Sequence, residues 1–270
     1  MSEFKVFRVM PGQQVRIRDI DPNDTHSIDE KKGEAKQETK ELVAKLDKLQ
    51  EMFYAEHKHK LLIVLQGMDT AGKDGVIRRI FEGVNPAGVR VVHFREPSQE
   101  EIDRGFLWRA FEQIPGSGEI VIFNRSHYEG VLVERVHKIV PKELWELRYG
   151  KINAFEKILA DEGTTILKFF LHIDSATQKM RLEERLKDPT KEWKFSNTDL
   201  LERQHWDEYM KAYEDMLSYT SFERSPWYVV PSNHRWFRDF LVGSVIVETL
   251  ENLKLSYPKL SKAVKSIKVP

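Results

Sequence analysis

A short apolar run that ends in a glycine-rich loop constrains the fold of this 270-residue chain more than any other feature. Residues 60–66 have the sequence KLLIVLQ, and Gly67 follows directly. A continuous apolar run of this length is typical of a strand that is buried on both faces of a parallel sheet. The pattern predicts a buried strand that delivers the following loop to the carboxyl edge of the sheet.

Similar apolar runs recur along the chain, and the segments between them have helical spacing. This alternation predicts an α/β fold with about five parallel strands flanked by helices. We expect one domain over 1–270, in which 1–57 form an N-terminal arm and a helix, 58–185 and 221–254 the core, and 186–220 a helical lid. The predicted strands are Lys60 to Gln66, Val89 to Phe94, Glu119 to Phe123, Thr165 to Ile173 and Trp227 to Val230.

Helix boundaries are marked by local sequence signals. Two capping boxes, Ser98 with Glu101 and Ser175 with Gln178, predict helix starts, because each pair satisfies backbone amides that lack a partner within the helix. The dipeptide Asp188-Pro189 predicts a helix end before the lid.

The loop after the first strand has the G-x-x-x-x-G-K spacing of a phosphate-binding loop, from Gly67 through Gly72 to Lys73. In such loops the backbone amides and the helix N-terminus face phosphate, and the lysine reaches the terminal oxygens. Asp74 stands where most such loops have the Ser or Thr that binds magnesium. The alternative is a glycine-rich turn with a surface lysine, and the flanking strand and helix favour the phosphate site.

A second motif follows the third predicted strand, where Asn124 and Arg125 should emerge beside the phosphate loop. An ordinary phosphate-loop enzyme has a magnesium-binding Asp at the end of such a strand. Here that position is Asn124, and Glu129 is the nearest carboxylate that could replace it. The sequence leaves two alternatives for Glu129, a metal ligand or a solvated acid at a helix start.

A third motif is the basic stretch around Arg181 and Arg185, which are four residues apart and share a helix face. The alternatives are a solvated helix with Glu–Arg pairs and the cationic side of a lid that closes over a transferring phosphoryl group. Trp193, Trp206, Tyr209 and Tyr213 could form a platform for a nucleobase, but helical spacing favours core packing for most of them.

Composition narrows the classes of partner. The chain has 43 Lys and Arg against 43 Asp and Glu, and this balance excludes loose polybasic binding to nucleic acid. A polyanion site therefore requires a focused positive groove, with the compensating acids elsewhere. The chain has no cysteine, and no apolar run near its start is long enough for a signal peptide or a membrane span, so the cytoplasm is the expected location.

The motifs together resemble the polyphosphate kinase 2 family, and the Asn124 and Glu129 version resembles its class III branch. The likeness rests on the loop from Gly67 to Gly75, the run from Phe123 to Glu129, Arg185 with Trp193 and Asp199, and the run from Pro226 to Pro231. The resemblance implies a thymidylate-kinase-like P-loop kinase fold, dependence on Mg²⁺ with Mn²⁺ as an alternative, and a homo-oligomer, either a dimer or a tetramer.

The resemblance also implies roles for individual residues. Asp69, Lys73, Arg125, Glu129 and Arg185 would be catalytic, and Asp69 and Glu129 would also hold the metal. The residues expected to bind nucleotide or phosphate are Gly67, Met68, Thr70, Ala71, Gly72, Asp74, Gly75, Asn124, Ser126, Arg181, Lys194 and Asp199.

The activity implied is reversible transfer of the terminal phosphoryl group of polyphosphate to nucleoside mono- and diphosphates of adenine or guanine. The partners are therefore inorganic polyphosphate and purine nucleotides, without nucleic acid or membrane. Two alternatives stay open on the sequence alone, an ATP-dependent nucleoside monophosphate kinase and a non-catalytic module that binds nucleotide or polyphosphate.

Overall fold

Five parallel strands form the centre of the molecule in the order β2-β3-β1-β4-β5. They were located in a computed structural model that describes residues 3–26, 28, 32–194 and 196–259. All five predicted strands are confirmed, with ends that differ by one residue at most. The strands are β1 (Lys60–Gln66), β2 (Val89–His93), β3 (Ile120–Asn124), β4 (Thr164–His172) and β5 (Trp227–Pro231).

Helices cover both faces of this sheet. Their bounds are α1 (Lys32–Glu56), α2 (Lys73–Ile80), α3 (Gln99–Arg104), α4 (Trp108–Phe111), α5 (Val133–Val136), α6 (Lys142–Asp161), α7 (Ser175–Lys187), α8 (Asn197–Gln204), α9 (Trp206–Tyr219) and α10 (Arg235–Asn252). In the part of the chain that is described, none of these helices combines the length and the apolar character needed to cross a bilayer.

The apolar run of β1 is continuous because each face of the strand enters a different core. Leu61, Ile63 and Leu65 belong to the cluster formed with α1, α2 and α10. Leu62 and Val64 point to the other face and pack with α6 and α9. Each of these side chains is at most 1% exposed, and burying one contributes about 1.5–3 kcal/mol to folding.

The pairing of β1 with β3 places the two sequence motifs side by side. Leu65 of β1 is opposite Asn124 of β3, and both strands run in the same direction. The chain leaves β1 through the loop at Gly67 and leaves β3 through Arg125. Both motifs therefore lie at the carboxyl edge of the sheet, as the sequence predicts.

The N-terminal arm is packed against the molecule along much of its described length. Phe4 and Phe7 make edge-to-face contacts with Phe240 and Phe237 of α10. The backbone amide of Val9 donates to the carbonyl of Trp227 over 2.8 Å, so the arm is tied to β5. The arm thus covers the β5 side of the sheet.

Two predictions about helices need correction. The capping box at Ser98 and Glu101 is confirmed, but the helix predicted to be capped by Ser175 is capped by Asp174, whose carboxylate accepts from the amide of Thr177 over 2.6 Å. Aspartate is a strong N-cap, and it precedes the serine by one residue.

The predicted lid, 186–220, also differs. Helix α7 ends at Lys187, before Asp188-Pro189, as predicted. Helix α9, however, buries Tyr209, Tyr213 and Met216 in the core, because its apolar residues recur at helical spacing. Among the described residues of 186–220, those in the segment that includes α8 lie outside the core, and the two tyrosines are core residues.

Candidate active site

The phosphate-binding loop runs from the end of β1 to the start of α2. Gly67 and Gly72 have φ angles of +147° and +108°, which residues with a side chain rarely adopt. A Cβ atom on Gly67 would lie 2.7 Å from the carbonyl oxygen of Leu171, and one on Gly72 would overlap the guanidinium of Arg238. Both glycines are therefore required by conformation and by space.

Lys73 opens α2 and folds back over the loop. Its Nζ atom donates to the carbonyls of Gly67 and Met68 over 2.6 and 3.3 Å, and the residue is only 9% exposed. Burial and the nearby charge of Arg125 lower the pKa of Lys73 to about 8, although Asp69, Glu129 and Asp74 act in the opposite direction. The lysine is thus a poorly solvated cation inside the loop.

Arg125 leaves β3 with a left-handed φ of +59° and reaches toward the loop. Its guanidinium donates to the carboxylate of Asp69 over 2.5 Å and to that of Glu129 over 3.5 Å. Burial alone would lower the pKa of Arg125, but Glu129 and Asp69 outweigh burial and raise it. Burial would raise the pKa of Asp69, but Arg125, Lys73 and Arg185 hold it below its ordinary value.

Glu129 is held from a second side by Gln66, the last residue of β1. The Gln66 side-chain amide donates to Glu129 Oε1 and to the hydroxyl of Ser126, each over 3.1 Å. The Ser126 hydroxyl also accepts from the amide of Tyr128, and Ser126 is 1% exposed. Ser126, predicted to bind phosphate, is therefore placed beneath the site, where it shapes the turn that carries Glu129.

Asp74 and Asn124 replace the usual residues of a phosphate-loop enzyme as a pair. The Asn124 amide donates to the Asp74 carboxylate over 2.6 Å and so joins the start of α2 to the end of β3. Since both positions depart from the ordinary pattern and bond to each other, the two departures are structurally coupled.

The opposite wall comes from the end of α7 and the segment that follows it. Arg185 at the end of α7 donates to the carboxylate of Asp199 in the first turn of α8 over 3.1 Å. Burial and the nearby charge of Asp69 raise the pKa of Asp199, against the effect of Arg185. The side chain of Lys194, which was predicted to bind phosphate, lies outside the described residues.

Arg181 is placed differently from Arg185, although both were predicted to face phosphate. It is 4% exposed, and its guanidinium donates to the carbonyls of Thr70 and Ser232 over 3.0 and 2.7 Å. One of these carbonyls belongs to the loop and the other follows β5, so Arg181 contacts the loop backbone and does not line the cavity. Met68 and Ala71, two more predicted ligands, are buried in the two hydrophobic cores.

The phosphate loop, the ends of β2 and β3, and the end of α7 enclose a cavity of about 330 Å³ at this edge of the sheet. Several lining residues were not identified from the sequence, namely His93, Phe94 and Arg95 at the carboxyl end of β2, and Lys191 before α8. The first three could have been found, because they lie at the carboxyl end of a predicted strand. The predicted residues that line the cavity are Asp69, Thr70, Gly72, Lys73, Asp74, Gly75, Asn124, Arg125 and Arg185.

The electrostatic prediction for this groove is wrong in one respect. We expected the compensating acids to lie elsewhere, but Asp69 and Asp74 line the cavity and Asp199 contacts the lining residue Arg185, and all three pair with polar or cationic neighbours. Buried cations require such partners, because an unpaired charge is costly to remove from water. The groove is therefore a set of paired charges.

The carboxylates of Asp69 and Glu129 fit a magnesium ion by their chemistry. Both are hard oxygen donors, and both contact the same guanidinium, so they lie on one side of the site. Within residues 3–26, 28, 32–194 and 196–259, no group of three or more His, Asp or Glu side chains could hold a metal by itself. Mg²⁺ usually binds through one or two carboxylates together with substrate phosphates.

Comparisons with known proteins place this geometry in a family. The family model described as Polyphosphate kinase 2 matches residues 29–258. The chain is 51% identical to the AMP/ADP-polyphosphate phosphotransferase of Meiothermus ruber, over 97% of this chain and 98% of that protein. It is 43% identical to the ADP-polyphosphate phosphotransferase of Rhodopseudomonas palustris, over 96% and 93% of the two chains.

A solved structure agrees with these sequence matches. The crystal structure of Polyphosphate Kinase 2 from Arthrobacter aurescens superimposes with a TM-score of 0.92 at 39% identity and covers 98% of this chain and 95% of that one. This likeness over nearly the whole chain confirms the P-loop kinase fold. The chain belongs to the polyphosphate kinase 2 family.

Proposed function

We propose that this enzyme transfers the terminal phosphoryl group of inorganic polyphosphate to AMP and ADP. The activities for which the relatives from Meiothermus ruber and Rhodopseudomonas palustris are named support this substrate pair. The structural observation that carries the proposal is the convergence of Lys73, Arg125 and Arg185 on one cavity beside a phosphate loop. Guanine nucleotides as further acceptors and reversibility of the transfer stay predictions.

The chemistry requires positioning more than acid–base catalysis. The attacking oxygen belongs to a phosphate, which is already ionised near neutral pH, so no strong general base is needed. The difficulty is to hold two polyanions in line against their repulsion. Lys73 holds phosphate oxygens from the loop side, Arg125 from the β3 side and Arg185 from the side of the lid segment, and the transition-state charge is thereby spread over three fixed cations.

Asp69 and Glu129 are the residues that would hold Mg²⁺, with Mn²⁺ as an alternative. The ion would supply further neutralisation of phosphate charge. In this arrangement Gln66 fixes one oxygen of Glu129, and Arg125 orients both carboxylates. A homo-oligomeric state and a cytoplasmic location, both expected from the sequence, also stay predictions.

The test is to incubate the purified protein with long-chain polyphosphate, MgCl₂ and ADP or AMP, and to measure the ATP or ADP formed. We expect product with either acceptor and less than about a thousandth of that rate for Arg125→Ala. A parallel assay replaces polyphosphate with ATP as the donor to AMP. Turnover confined to that second assay would refute the proposal in favour of a monophosphate kinase, and ligand binding without turnover would refute it in favour of a binding module.

A further inference from the structure

We propose that Arg238 is a positioning residue for phosphoryl transfer, which holds the phosphate loop from behind in concert with Arg181. This inference builds on the proposed function, because it concerns the same loop. Arg238 lies in the first turn of α10 and is 3% exposed. No motif identified in the sequence includes it.

The contacts of Arg238 join the phosphate loop to α10. Its Nη1 atom donates to the carbonyl of Ala71 in the loop over 3.3 Å. Its Nε and Nη2 atoms both donate to Oδ1 of Asp239, the next residue of α10, over 2.8 and 2.6 Å, and these bonds orient the planar guanidinium. Arg238 thereby connects the loop to α10.

Arg181 holds the same carbonyl from α7. Its Nη1 atom donates to the carbonyls of Thr70 and Ala71 over 3.0 and 3.3 Å. Its Nη2 atom donates to the carbonyls of Ser232 and Asn233 over 2.7 and 2.9 Å. Two buried guanidinium groups therefore converge on Ala71, one from each of two helices.

The direction of the Ala71 carbonyl has a consequence for phosphate binding. In a trans peptide the C=O and the following N–H point in opposite directions, and this chain has no cis peptide among its described residues. Since the Ala71 carbonyl faces the two arginines, the amide of Gly72 faces away from them, toward the cavity that Gly72 lines. The arginines thus fix the aim of a loop amide.

Arg238 also accounts for Gly75, a glycine that the G-x-x-x-x-G-K spacing does not require. Glycine inside a helix costs about 1 kcal/mol relative to alanine. A Cβ atom on Gly75 would lie only 3.2 Å from Arg238 Nη2, which is tighter than an ordinary van der Waals contact. Gly75 leaves room for the guanidinium that supports the loop.

The experiment compares Arg238→Met with Arg235→Met, a control on the same helix whose side chain is 58% exposed and pairs with Glu184. We expect Arg238→Met to lower kcat/KM for polyphosphate by about 100-fold, the usual cost of a small misplacement of reacting groups. We expect Arg235→Met to leave it unchanged. Wild-type kcat/KM in Arg238→Met would overturn the proposal.

Coupling with Gly75 separates positioning from general destabilisation. Gly75→Ala should lower kcat/KM in the wild type, because the methyl group displaces the guanidinium, and should have little further effect in Arg238→Met. Independent, multiplicative losses in the double variant would overturn the proposal. If Arg238→Met does not fold, Gly75→Ala alone decides, since wild-type kcat/KM in this variant would show that the guanidinium position does not matter.

A readout without turnover keeps this inference distinct from the proposed function. Amide hydrogen exchange of the peptide that covers residues 67–75 should be faster in Arg238→Met than in Arg235→Met, while exchange of β1 is unchanged. Equal exchange of the loop in the two variants would overturn the inference even in a protein that transfers phosphate from polyphosphate. Absence of turnover in the wild type would instead refute only the proposed function.

Discussion

Replacement of Lys73 by Met should change how the stability of the protein depends on pH. The pKa of Lys73 is about 8 in the folded protein, against an ordinary value of 10.5, because burial and Arg125 disfavour its charge. This difference corresponds to about 3 kcal/mol, since each pKa unit is worth 1.36 kcal/mol. The folded protein therefore carries this penalty below pH 8, where the lysine is charged in both states.

The sign follows from proton binding. Between pH 8 and 10.5 the unfolded chain retains the lysine proton that the folded protein has released, so the free energy of unfolding rises with pH. Urea unfolding at pH 7 and pH 10 should show a rise that is about 2–3 kcal/mol larger in the wild type than in Lys73→Met. Lys73→Met serves as the reference for the wild type, because every other titrating group is present in both proteins.

Ligand binding should respond in the opposite direction. Deprotonation of Lys73 removes a cation from the phosphate loop, so calorimetric affinity for tripolyphosphate should fall between pH 7.5 and 9.5 in the wild type more than in Lys73→Met. Parallel pH profiles of stability in the two proteins would refute the claim that Lys73 is strained by burial. Parallel profiles of affinity would refute its contact with phosphate.

Three further predictions concern other charged contacts. Lys168→Met should lower the free energy of unfolding by about 3–5 kcal/mol in urea titrations, because it leaves the buried carboxylate of Glu156, 2.5 Å away, without its cation; a loss below 1 kcal/mol would contradict this. Arg125→Lys keeps the charge but loses the fork that reaches both carboxylates, and kcat should fall by about a thousandfold, whereas activity near wild type would show that charge alone suffices. Arg185→Gln and Asp199→Asn should each lower kcat, and the double variant should lose no more than Arg185→Gln alone, since Asp199 acts through Arg185; multiplicative losses would separate their roles.

The sheet could be predicted because its signals are local. Each strand is a short apolar run, and the carboxyl-edge rule then brings Lys73 and Arg125 together without further information. The roles of Arg181 and Arg185 could not be separated in this way. Four residues on a helix return to almost the same face, but they also advance about 6 Å along the axis. That advance places the guanidinium of Arg181 against the loop backbone and that of Arg185 at the cavity wall. The sequence does not show which part of α7 lies beside the loop.

The side chains that position the site could not be identified from the sequence either. Gln66 and Arg238 have no motif of their own, and their importance depends on which backbone atoms the fold brings to them. Gly72 and Gly75 were the visible traces of Arg238, because a Cβ atom at either position would come too close to its guanidinium. A glycine of this kind predicts that a bulky group lies nearby, but it does not identify the group.

The zero net charge of the chain is consistent with a polyanion site because the cations of the site are paired before any ligand binds. Arg125 contacts Asp69 at 2.5 Å and Arg185 contacts Asp199 at 3.1 Å. A phosphate oxygen therefore competes with a carboxylate that is already in place, and a loosely bound polyanion gains little from that exchange. A ligand that engages Lys73, Arg125 and Arg185 together gains three contacts in a groove whose geometry is already set. The pairing of charges therefore favours a ligand that contacts all three cations at once over nonspecific binding of polyanions.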